Sequence, residues 1–137
     1  MIGEVIVFPE VEAVAIGYLV DELTAREDTA HVSDELPSPD LPNRVVKVQS
    51  GGPGGDVNLT TSRRSVIVQC WDTDRVAAAN LAESCFGLMK ALQGNQTRGA
   101  FVRKVAAVGA PVYFPDPLTE LPRYQFTVSL DLAGRAL

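Results

Sequence analysis

The apolar side chains Val11, Val14, Ala15, Tyr18, Leu19 and Leu23 recur three, four, seven and eight positions apart. That spacing gathers them into one stripe and predicts an amphipathic helix over residues 9–26. Pro9 suits its first position, where the missing N–H costs nothing. Residues 28–43 then carry Pro37, Pro39 and Pro42, each of which disfavours helix in its predecessor and removes a ladder donor, so an extended loop is expected. Val45, Val46 and Val48 make residues 44–50 a short strand, the run Gly51 to Gly55 cannot continue it, and Ser65 to Trp71 resumes the β pattern. The two strands are expected to pair as a hairpin with a long, mobile tip.

A second helix is expected over about 73–93. Asp72, Thr73 and Asp74 offer capping oxygens, Val76, Ala77, Leu81, Cys85, Leu88, Met89 and Leu92 form its stripe, and Gly94-Asn95 ends it. Residues 101–108 read as a strand, whereas the prolines of 109–122 argue against regular structure. Tyr124, Phe126, Val128, Leu130 and Leu132 alternate strictly with polar residues, the signature of a half-buried strand. The order α-β-β-α-β-β implies an α+β fold: two helices packed on one face of a four-stranded, mostly antiparallel sheet, with long loops.

Composition narrows the class. At 137 residues and 46% hydrophobic the chain fits one domain, residues 1–137, with a self-sufficient core. Its net charge of −5 argues against a protein that holds phosphate backbones. The start lacks the basic region of a signal peptide and no window reaches the ~20 apolar residues of a membrane span, so a soluble protein made in a cytoplasm and without membrane contact is expected.

Candidate chemistry is sparse. Cys70 and Cys85 form no CxxC or Cys/His cluster and read as small core residues, and His31 as a surface loop residue, so a Cys85–His31 nucleophile pair is the lesser reading. The sequons at Asn58 and Asn95 read as loop chemistry. The run Gly51, Gly52, Gly54, Gly55 and Asp56 lacks the Gly-Lys-Ser/Thr ending of a phosphate loop and reads as a flexible tip or a partner-contacting loop. The pairs Asp72/Asp74 and Asp116/Glu120 sit beside turn residues, where capping explains them. Arg63 and Arg64, just ahead of the second strand, suit either a solvated strand entrance or a grip on a phosphate or a neighbouring subunit's carboxylate. Tyr113, Phe114 and Asp116 belong to the second long loop and are, with the glycine run and the two arginines, candidate interaction residues. No catalytic constellation, cofactor motif or metal-ligand spacing stands out, which favours an assembly protein over an enzyme.

Several segments together resemble the tail terminator proteins of long, flexible-tailed phages, particularly those of actinobacterial hosts. They are Val7-Phe8-Pro9-Glu10-Val11-Glu12 opening a helix through Tyr18 to Leu23, Val45-Val46 followed by Gly51-Gly52-Pro53, the strand Val66 to Trp71, and Pro115-Asp116-Pro117 leading to Pro122 and the strand through Leu130. The resemblance spans nearly the whole chain but rests on strands and turns, with no catalytic signature. It implies a ring, usually a hexamer, located in the virion at the tail–neck junction. Such a ring caps the completed tail tube, stops its polymerisation and meets the head connector. The domain size gives a radius of gyration near ~14 Å and an equivalent sphere of radius about 18 Å, and six such spheres in a ring leave an opening of similar radius, enough for DNA to pass. At −5 per subunit, a lumen sharing that sign would let DNA slide without specific binding.

Two other functions are compatible with these residues. A head-closure or stopper ring of the neck differs from a terminator by its partner. A small enzyme or ligand-binding domain would instead show a deep, polar-lined pocket with perturbed titratable groups.

Overall fold

The alternating run at the end of the chain forms the centre of a sheet. In this computed structural model, which describes residues 1–37 and 40–137, it becomes β8 (Arg123–Ala133). Strand β8 pairs antiparallel with β5 (Thr61–Trp71) from Thr61↔Ala133 to Trp71↔Arg123, and on its other side with β7 (Ala100–Tyr113). Phe126, Val128, Leu130 and Leu132 are buried on one face, while Gln125, Thr127 and Ser129 are half-buried on the other. Each such side chain removed from water contributes about 1.5–3 kcal/mol, which fixes the register, because a one-residue slip would turn the whole set outward.

The two helices, α1 (Val11–Ala25) and α2 (Arg75–Ala91), share one apolar cluster with that face. From α1 come Val11, Val14, Ala15, Tyr18, Leu19 and Leu23, and from α2 Leu81, Ala82, Cys85, Phe86 and Met89. The Tyr18 hydroxyl donates to the Leu88 carbonyl at 2.5 Å and ties the helices together. Pro9 stands two residues ahead of the first helical position expected for it: Glu10 is the N-cap of α1, its carboxylate accepting from the amides of Glu12 and Ala13 at 3.1 and 2.7 Å. Asp74 caps α2 through the Ala77 amide at 2.8 Å. Neither helix is long and apolar enough to cross a membrane.

The expected four-stranded, mostly antiparallel sheet in the order α-β-β-α-β-β is overturned. Seven strands form a mixed sheet in the order β2-β3-β5-β8-β7-β6, with β4 attached to β5. The additional members are β2 (His31–Ser33), β4 (Gly55–Asn58) and β6 (Asn95–Thr97), and β2 runs parallel to β3 (Val45–Ser50). A separate two-stranded sheet joins β1 (Ile6–Val7) to β9 (Arg135–Ala136) near the chain ends. Four of these five strands escape the sequence because two or three residues display no alternation, and β4 because Gly55, Asp56 and Asn58 are poor strand formers.

Two loop expectations change as well. The stretch 28–43 contains β2, and its Pro39 lies outside the described residues. Gly109 to Tyr113, expected to be irregular, continue β7, with register shifts between Ala107 and Gly109 and between Gly109 and Val112 that accommodate Pro111.

Candidate functional site

The β5–β8 ladder has two ends, and the sequence-selected residues divide between them. At the first end the chain leaves β3 and returns as β5. The Gly51 amide donates to the Ser65 carbonyl at 2.8 Å, Gly54 turns with φ of 66°, and β4 then pairs with β5 at Gly55↔Arg63, Asp56↔Ser62 and Asn58↔Thr61. Asn58 closes the turn by accepting from the Thr60 amide at 2.9 Å. The expected mobile tip is therefore a paired strand. Gly51 through Thr60 are nevertheless all exposed, with Leu59 at 87% and Val57 at 49%.

Arg63 and Arg64 lie inside β5 rather than ahead of it. Arg63 forks onto Asp131, its Nε and Nη2 donating at 2.8 and 3.1 Å. That pairing holds the Asp131 carboxyl below the usual carboxylate range. The Arg64 Nε donates to the Ser62 hydroxyl at 2.9 Å and its guanidinium lies 5.8 Å from the centre of the Phe8 ring. Both cations are thus engaged within their own chain. Gly54, Gly55, Asp56 and Arg63 come together along a shallow, open groove of about 480 Å³, whose far wall carries Val108 of β7.

Tyr113, Phe114 and Asp116 assemble at the other end, where β7 passes into β8. The Asp116 carboxylate is the hub: it accepts from the Leu118 amide at 3.0 Å, the Thr119 hydroxyl at 3.1 Å and the Trp71 Nε1–H at 3.3 Å, with Arg123 Nη1 at 3.8 Å. Burial pushes its pKa up, but these donors and the Arg123 charge outweigh burial and leave it lowered. Arg123 donates to the Phe114 carbonyl at 2.8 Å and stands 4.7 Å over the Phe114 ring and 5.4 Å from that of Trp71. Arg75 sits 3.9 Å over the Tyr113 ring, which in turn contacts Tyr124 at 5.4 Å.

Sequence reasoning missed Asp131, Arg123 and Trp71 as partners. Trp71 and Asp116 are 45 residues apart, and no periodicity connects them. It also missed Val108 and Val112, exposed at 65% and 57%, because their segment reads as ordinary strand or loop composition.

Among the described residues, the remaining titratable groups do not assemble an activated nucleophile. Cys70 and Cys85 are both buried; burial, reinforced by the neighbouring Cys85 thiol, drives the Cys70 pKa well up. His31 is exposed on β2. Arg44 bridges Asp28 and Asp72, which ties the start of β3 to the end of β5. Asp72 is thereby a structural anion, while Asp74 caps α2. Among the described residues, no group of three or more His, Cys, Asp or Glu is placed to hold a metal ion. Chemically, the arrangement orders surfaces and leaves apolar side chains in solvent.

No family model matches the chain, and no curated protein matches it. Its fold is similar to that of a chain in a solved structure described as "Virion of native gene transfer agent (GTA) particle", with a TM-score of 0.68 over 90% of this chain and 95% of that one. The two sequences are 12% identical, so the likeness is one of fold.

Proposed function

We propose that this chain is a structural protein of a phage-like virion. More narrowly, it is the subunit of a ring, a hexamer in this reading, that caps the completed tail tube at the tail–neck junction, stops its growth and joins it to the head connector. The observation that carries this reading is the fold likeness to a virion chain over almost the full length of both proteins. The side chains support it: Arg63, Arg123 and Asp116 are committed to internal pairs, while Val57, Leu59, Val108 and Val112 face solvent. Exposed apolar positions of this kind suit association better than turnover. A cap works by occupying the growing end of the tube more favourably than another tube subunit does. DNA passes through the ring without specific binding.

The test is a phage or particle-producing strain from which the gene has been removed. Electron microscopy of the lysate is expected to reveal filled heads beside separate tails of uncontrolled length, and resupply of the protein restores joined tails of one length. Normal-length tails beside heads that lose DNA would move the protein to head closure. Intact joined particles would overturn both ring roles.

A further inference from the structure

Among the open edges of the sheet, two unlike ones lie on opposite sides of the β5–β8 pair. Strand β6 covers β7 only from Ala100 to Val102, and the Gln93 side chain takes the Val105 amide at 3.1 Å. Beyond that point the outer edge of β7 has no strand partner among the described residues. Its side chains from Ala106 to Val112 are all apolar or glycine, and all but the half-buried Pro111 are exposed. A long apolar edge of this kind templates pairing with another strand unless charge or a covering element blocks it. The second open edge belongs to β4, which pairs with β5 on one side only.

The two edges differ in charge. Strand β4 presents exposed Asp56 beside exposed Val57, whereas exposed Arg103 and Lys104 stand just ahead of the open stretch of β7. Among the described residues, none of Asp56, Arg103 and Lys104 is in a salt bridge; Lys104 lies opposite Asp131, whose carboxylate Arg63 already occupies. We infer that the open edge of β7 takes the β4 edge of a second copy of this chain, head to tail. Asp56 of one copy then lies near Arg103 and Lys104 of the next, and Val57 and Leu59 meet the apolar side chains that follow them on β7. Two unlike, complementary edges on one subunit form a heterologous contact, which closes into a ring when the rotation allows. This rests on the ring reading above and specifies which surfaces build it.

The test uses the full chain and reads subunit association by sedimentation velocity and native mass spectrometry at low salt, with circular dichroism to confirm folding. The expected result is a closed oligomer for the unaltered chain. Val108→Lys places a charge in the middle of the β7 edge and is expected to weaken association by about tenfold or more. Asp56→Lys alone and Arg103→Glu with Lys104→Glu alone are each expected to remain largely monomeric, since like charges then meet. Mixing these two variants restores association, because each edge again meets its opposite. Oligomers that survive all three changes would overturn the edge pairing while leaving the ring itself standing. A charge-reversed β7 variant that still dimerises alone, with no gain on mixing, would instead reveal a symmetric β7–β7 contact. A chain that stays monomeric at every concentration would overturn the pairing between copies, and the lysate experiment would still decide the capping role.

Discussion

The glycine hairpin at one end of the β5–β8 ladder and the proline loop at the other are ordered by opposite means. From Gly51 to Thr60 the chain is held by backbone pairing to β5 and one Asx turn, and every residue is exposed. From Phe114 to Pro122 it has no strand, yet Asp116 gathers three donors and the Arg123 charge, and Arg123 grips the Phe114 carbonyl. Regular geometry and side-chain anchoring are therefore separable. The first end is a strand whose side chains are free to meet a partner, and the second is an irregular segment whose polar groups already have partners.

Substitutions at the two ends should accordingly differ in kind. Asp116→Ala is expected to be the most damaging, destabilising the fold by about 2 kcal/mol, because it strips a nearly buried hydrogen-bond hub and leaves the Trp71 N–H and the Arg123 guanidinium without their carboxylate. Thermal denaturation followed by the fluorescence of Trp71, the sole tryptophan, measures it; an unchanged midpoint would mean the loop is not held by Asp116.

Acid should act on the same end. The Asp116 pKa is lowered on folding, so its contribution is complete above the unfolded value of about 3.9 and fades as pH falls through the folded value. A fluorescence change of Trp71 below about pH 4 is expected, and Asp116→Asn should remove it. Asp131 is lowered in the same direction by Arg63 at the hairpin end, but no tryptophan reports there.

At the hairpin, Gly54→Ala should cost about 1 kcal/mol, since Gly54 has φ of 66° and an added Cβ would press on the Arg63 carbonyl. Chemical denaturation checks this. Leu59→Ser should leave stability within about 0.5 kcal/mol, because Leu59 is 87% exposed. A loss as large as that of Asp116→Ala would erase the distinction between the two ends.

The difference between the ends also explains what the sequence made legible. Long periodic elements were readable: the stripe from Val11 to Leu23, the stripe from Leu81 to Met89 and the alternation from Phe126 to Leu132 carry their burial pattern in their spacing. Strands such as β2 and β6, three residues each, have no room for a period, and the parallel pairing of β2 with β3 depends on contacts across the intervening loop. Glycine and proline misled in the same direction, each arguing against a strand that the fold makes. Gly55 entered a strand because β5 supplied its partner, and Pro111 stayed in β7 because register shifts absorbed it. At the candidate sites, residue types pointed to Arg63 and Asp116 but not to Asp131, Trp71 or Arg123, which lie 68, 45 and 7 positions away and meet them only in the folded sheet.

The placement of this chain in a particle can be measured directly. A gold-binding tag fused after Leu137, which is 87% exposed, would be carried on particles purified from a producing strain whose untagged gene has been replaced. Electron microscopy is expected to find a single gold cluster per particle at the junction of tail and head. Label distributed over the head or along the tail tube, or particles without label, would contradict a cap at that junction.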